Sequence, residues 1–130
     1  MIETAVWITL RIPGLHCWPE APNAVKYLRD LHRHDFHFKI SVGVPHPDRA
    51  LEFHTMKADI ELLINNGFGT DASTPEWLTN FGYRSCETIA REVLNLMLTC
   101  GRYNQRMIEI DVSEDGENGG TVVYFPDESK

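Results

Sequence analysis

His32 and His34 stand two residues apart at the start of the run Phe36-His37-Phe38-Lys39-Ile40-Ser41-Val42. In an extended strand alternate side chains share a face, so both imidazoles project to one side. Neutral imidazole is the commonest protein metal ligand, and three such nitrogens with one open position make a catalytic zinc site. A third histidine, His16, follows another strand-like segment upstream. If that segment folds back beside the pair, His16, His32 and His34 form a three-histidine metal site.

The segments that must position these residues are readable from their patterning. Val6, Ile8, Leu10 and Ile12 alternate with Ala5, Trp7, Thr9 and Arg11, which predicts a first strand with one buried face, ended by Pro13-Gly14. Residues 15–31, marked by Pro19 and Pro22, read as a loop. In the second strand Phe36, Phe38, Ile40, Val42 and Val44 share a face, and His32 and His34 have the same parity. Both histidines are therefore expected on the interior side, near its mouth. Pro45 and Pro47 close that strand. Phe53, Met56, Ile60, Leu63 and Ile64 have helical spacing, with Asn65-Asn66-Gly67 as the stop. Residues 67–84 read as loop. A second helix is expected from about Ser85 to Cys100, with Ser85 as N-cap, Glu87 at the positive helix end and Gly101 at C′. Two strands follow, Ile108 to Glu114 and Thr121 to Phe125, joined by a turn over Asp115–Gly120. The order strand, strand, helix, helix, strand, strand predicts an α+β fold: a four-stranded antiparallel sheet with two helices packed on one face. Such a sheet leaves its other face and its edges needing cover, so a homo-oligomer is expected.

At 130 residues the chain is expected to be one domain, residues 1–130, with a real core. The net charge of −7 and the absence of a Lys/Arg stripe argue against nucleic acid and anionic membrane surfaces as partners. No apolar run approaches a membrane span, and the first residues lack the pattern of a signal peptide, so the expected location is cytoplasmic. Three cysteines, Cys17, Cys86 and Cys100, form no CxxC and leave an odd count, which fits a reducing compartment. Cys86 and Cys100 read as small buried hydrophobes.

The order of these features resembles the 6-pyruvoyltetrahydropterin synthase / 6-carboxytetrahydropterin synthase family over most of the chain. His16 stands where that family has its first zinc ligand. The stretch Tyr27-Leu28-Arg29-Asp30-Leu31-His32-Arg33-His34 stands where it has Cys-x-x-x-His-Gly-His. Ala50 to Lys57 is similar to its first helix start, Gly-hydrophobic-hydrophobic-Asp-Phe-x-x-Leu-Lys, and Arg84 to Ala90 to its second, Pro-Thr-Ser-Glu-Asn-hydrophobic-Ala. Ile110-Asp111-Val112-Ser113-Glu114, followed by Tyr124, is similar to its Val-x-Val-x-Glu strand and closing Tyr. The resemblance implies the tunnelling fold, a ring-shaped homo-oligomer (commonly a hexamer of two trimers), and a Zn2+ cofactor on His16, His32 and His34. It implies a lyase cleaving carbon–oxygen or carbon–carbon bonds, acting on a reduced pterin of the 7,8-dihydroneopterin triphosphate class, in pterin or queuosine-precursor biosynthesis. It also implies that Glu114 accepts two N–H bonds from a pterin or purine-like ring, and that Ser85 adds a ring contact across a subunit boundary.

Three departures bear on chemistry. Leu28 occupies the position of the family's nucleophilic Cys, and leucine cannot move a proton. The family's Asp-His pair has no counterpart in Thr74-Pro75-Glu76-Trp77-Leu78-Thr79. Arg33 replaces the glycine between the histidines and is expected to add charge near the pocket. The catalytic group is thus unassigned. Cys17, beside His16, is the one thiol placed to act near a metal, against the plainer reading of a structural cysteine. Glu114 has its own plainer reading, a solvated hairpin carboxylate. His37, on the opposite strand face, and His46 and His54, in or beside turns, take no role. The alternative function is a catalytically inactive relative that binds a pterin or purine in a sequestering, regulatory or assembly role.

Overall fold

A computed structural model describes residues 3–68 and 74–126. Met1-Ile2, residues 69–73 of the expected second loop and residues 127–130 of the acidic tail lie outside the described residues. The elements are β1 (Thr4–His16), a short 3-10 segment (Asn23–Leu28), β2 (His32–Val44), α1 (Phe53–Gly67), β3 (Thr79–Asn80), α2 (Cys86–Thr99), β4 (Ile108–Glu114) and β5 (Asn118–Tyr124). They form an α+β fold. The sheet order is β3-β1-β2-β4-β5.

The expected four antiparallel strands are present, and the sheet has a fifth. β3 pairs in parallel with Gly14 and Leu15 of β1, which makes the sheet mixed. β1 also runs past the expected stop at Pro13-Gly14 and reaches His16. At Pro13 the outer edge of β1 is unpaired, so the missing N–H costs no ladder bond. Gly14 is required by its neighbours: a Cβ there would lie 2.6 Å from the Phe81 ring and 2.9 Å from the Phe36 ring. The segment expected to be loop, 15–31, therefore contains the end of a strand and a 3-10 turn. β5 begins at Asn118, earlier than expected, and leaves a loop of Asp115, Gly116 and Glu117.

The alternation of β1, β2 and β4 builds one sealed layer. Phe36, Phe38, Ile40 and Val42 are buried, as are Ile8, Leu10, Ile108 and Ile110. Met56, Ile60 and Ile64 of α1 and Ile89, Val93 and Met97 of α2 close over them. Each such side chain contributes about 1.5–3 kcal/mol by leaving water. Both helices begin where side-chain caps are available. Glu52 accepts from His54 N and Thr55 N ahead of α1, and Ser85 accepts from Thr88 N ahead of α2. α1 runs through Asn65-Asn66 to Gly67, where a Cβ would meet Leu96 at 2.4 Å. That glycine serves close helix packing rather than a left-handed cap. Gly101, at φ 82°, is the left-handed C′ residue expected after α2.

The other face of the sheet carries Trp7, Thr9, Arg11 and Lys39, all exposed, with the Lys39 ammonium 4.7 Å from the Trp7 ring centre. Among the described residues, β5 and most of β1 each keep one unpaired edge. No described helix is long and apolar enough to cross a membrane.

Candidate metal centre and adjoining cavity

The β1–β2 register places Gly14 opposite His34 and His16 opposite His32. Paired residues on neighbouring strands point to the same face, so all three imidazoles gather at the open end of the core layer. Their ring centres lie 4.5 to 5.4 Å apart. Phe36, next on the same face of β2, packs edge-on beneath His16 and His34 and against Phe81. The triad therefore stands on an aromatic floor that continues into the core.

The hydrogen bonds fix which nitrogen of each ring faces inward. Nδ1 of His16 donates to the Arg84 carbonyl at 3.0 Å, and Nδ1 of His32 to the Asp30 carbonyl at 2.9 Å. Nδ1 of His34 donates to Asp115 Oδ2 at 2.7 Å. Carbonyl and carboxylate oxygens only accept, so each Nδ1 carries the proton and each neutral ring keeps a lone pair on Nε2. The three Nε2 atoms are buried, have no hydrogen-bond partner and lie within 4.8 Å of one another. Burial holds the pKa of His16 below its ordinary value, against the opposing pull of the Arg84 carbonyl and Glu114. Three converging nitrogens without hydrogen-bond partners, each ring oriented by an outer acceptor, fit zinc.

Asp115 was not foreseen as a participant. Its backbone is left-handed, at φ 56°, in the β4–β5 loop. Oδ1 accepts from Asp35 N at 2.9 Å, its own N–H donates to the Asp35 carbonyl at 2.8 Å, and Oδ2 takes the His34 proton. Its carboxyl is held below the usual carboxylate range, first by the His34 hydrogen bond and then by the Asp35 N–H. The sequence signal was Asp115-Gly116, read only as a turn. The carbonyls of Asp30 and Arg84 carry no sequence signal at all.

Beside the triad lies a cavity of ≈ 540 Å³, whose lining includes His16, Cys17, Arg84, Ser85, Cys86 and Glu114. Ser85 sits at the start of α2, where its hydroxyl also accepts from Thr88 N at 3.2 Å. Glu114 pairs across from Phe36 and so shares the triad's face. Its Oε1 comes within 3.0 Å of His16 Nε2 and its Oε2 within 3.5 Å of His34 Nε2. These short separations do not have hydrogen-bond geometry, which is why both nitrogens count as partnerless. Cys17 is buried and lines the same cavity. Cys86, read from sequence as a buried hydrophobe, also lines it. Burial, then Glu114 and Glu87, push its thiol up to about 12, so it stays protonated.

No family model and no curated protein matches the sequence. Solved structures match its shape. A 6-pyruvoyltetrahydropterin synthase from Plasmodium vivax, a catalytic-residue mutant with cysteine in place of glutamate, superposes with a TM-score of 0.64 at 12% identity. The match covers 96% of this chain and 99% of that one. The chain has the fold of 6-pyruvoyltetrahydropterin synthase. The enzyme from Caenorhabditis elegans gives 0.63 at 9% identity over 98% of each chain. That from Plasmodium falciparum gives 0.58 at 16% identity over 93% of this chain and 98% of the other.

Within this synthase fold, the five residues His16, His32, His34, Ser85 and Glu114 come together around one triad and one cavity. Leu28 is half-buried in the 3-10 segment, is not part of the cavity lining, and holds Trp18 N on its carbonyl at 2.7 Å. Arg33 corrects an expectation. Its parity is opposite to that of the triad, and its guanidinium stacks 4.7 Å above Trp77, away from the pocket. His54 caps the first turn of α1 with Glu52, and His46 accepts from Asp48 N.

Proposed function

We propose that this chain is a zinc-holding, 6-pyruvoyltetrahydropterin synthase-like protein that acts on a reduced pterin of the 7,8-dihydroneopterin triphosphate class. The observation that carries the reading is the set of three buried, partnerless Nε2 atoms beside a ≈ 540 Å³ cavity. His16, His32 and His34 would hold the ion. Zinc bound there supplies Lewis-acid polarisation of a carbonyl or of paired hydroxyls. Glu114 offers two acceptor oxygens at the cavity wall, suited to the N–H edge of a pterin or purine. Ser85 offers a hydroxyl at a helix N-terminus, where the helix dipole favours electron-rich groups. Cys17 is the thiol next to His16 in the cavity lining, whereas Cys86, held protonated, is a poor nucleophile. The chain acts as one domain over residues 1–130, and the edges that β5 and most of β1 leave unpaired among the described residues support a homo-oligomer.

The test is to incubate zinc-loaded protein with 7,8-dihydroneopterin triphosphate and follow triphosphate release. Release is expected above that of a variant in which His32 and His34 are both alanine. Equal release from both proteins would sink the catalytic reading. Calorimetry with the same pterin separates that failure from loss of binding. Binding without release assigns the chain a sequestering or regulatory role.

A further inference from the structure

Glu114 stands too close to the histidines for a residue that only faces the cavity. Its two oxygens lie 3.0 Å and 3.5 Å from Nε2 of His16 and His34, without hydrogen-bond geometry. Those nitrogens carry lone pairs, because the ring protons are committed to Arg84 and Asp115 on the other side. Carboxylate oxygens carry lone pairs too. Such groups approach this closely only when a proton or a metal ion lies between them, and the missing hydrogen-bond geometry speaks for the metal ion. Metal–ligand bonds of about 2.0–2.2 Å at tetrahedral angles put neighbouring donor atoms about 3.3–3.6 Å apart. The His34 separation falls in that range, and the His16 separation lies a little below it.

We infer that Glu114 is a fourth metal donor, so that the ligand-free protein holds its ion in a closed site of three histidines and one carboxylate. This rests on the metal reading above. A closed site has a consequence for ligand entry. The carboxylate must leave the ion before an oxygen of a ligand takes its place, and once released it can accept N–H bonds from that same ligand. One side chain then serves the two roles in turn, and metal environment and ligand occupancy are coupled.

The experiment uses Zn2+ and Co2+ alone as probes on metal-free, full-length protein. Zn2+ affinity is measured against a competing chelator for wild type, Glu114→Ala and the volume-preserving Glu114→Gln. Affinity is expected to fall by more than about tenfold in both variants. Because loss of an outer partner can also cost that much, the deciding readout is the visible spectrum of the Co2+ protein with added azide. Azide is expected to leave the wild-type spectrum unchanged and to shift that of Glu114→Ala, whose fourth position is open. A wild-type spectrum that shifts as the variant's does, or variants that hold Zn2+ as tightly as wild type, would overturn the inference alone. Wild type that takes up neither ion would overturn the metal reading and this inference together.

Discussion

The two ends of β2 share one strand, one face and one alternation, yet they are finished differently. At Ile40 and Val42 the face is closed by carbon, with Ile8, Ile108, Ile110 and the two helices leaving both residues fully buried. At His32 and His34 the same face ends in nitrogen. There the cover is a loop carboxylate, two backbone carbonyls and a cavity. The first end is satisfied by packing alone. The second contains three buried lone pairs that the protein leaves unanswered. A buried polar group without a partner is costly, and its persistence on an otherwise optimised strand is what supports the metal reading proposed above.

The sharpest way to break that contrast is to alter the nitrogen end. Replacing His32 and His34 together with alanine is expected to abolish Zn2+ uptake measured by equilibrium dialysis, while circular dichroism keeps the wild-type fold. Zinc retained at wild-type stoichiometry would refute the assignment of the two ends. At the carbon end, Ile40→Ala should lower stability by about 2–5 kcal/mol in denaturant titration. Metal uptake should stay unchanged; a change there would show that the ends are coupled through the strand. Ser85→Ala removes the cap of α2 at the cavity wall and should cost about 1 kcal/mol. An unchanged denaturation midpoint would mean that the hydroxyl is not stabilising the helix.

The smallest effect is a pH dependence far from both ends. Glu52 caps α1 through two backbone N–H groups, and those hydrogen bonds lower its pKa to about 2. Since the folded value lies below the unfolded one, the cap's contribution is full above the ordinary carboxylate pKa. It fades as pH falls through about 2. Wild type should melt above Glu52→Ala at neutral pH, with the two converging in acid. A gap constant down to the lowest pH would contradict the cap.

Much of this was legible in the chain itself. The period-two runs gave β1, β2 and β4, and the parity of His32 and His34 with Phe36 placed both on the interior side. The capping residue Ser85 and the left-handed Gly101 bounded α2 as expected. What was not legible depends on contacts between distant segments. Pro13-Gly14 reads locally as a stop, but the unpaired edge and the close approach of Phe81 keep it in strand. β3 is two residues long and exists only because β1 is beside it. Arg33 was expected near the pocket because it lies between two pocket histidines. Strand parity sends it to Trp77 instead. Asp115 looked like turn chemistry and proved to be the partner that orients His34.

The hairpin that carries Asp115 is also a gauge of length. Glu114 pairs with Asn118, and only three residues span the return. One of them, Asp115, must stay beside β2 to hold Asp35 and His34 at once. Inserting a single residue between Glu114 and Asp115 would leave every named side chain present while moving the Asp115 carboxylate out of reach, and a slip by one position would turn Glu114 to the other face. Two relatives with identical histidines and different hairpin lengths are therefore not equivalent proteins. Counting residues between the last strands says as much about the centre as finding the histidines does.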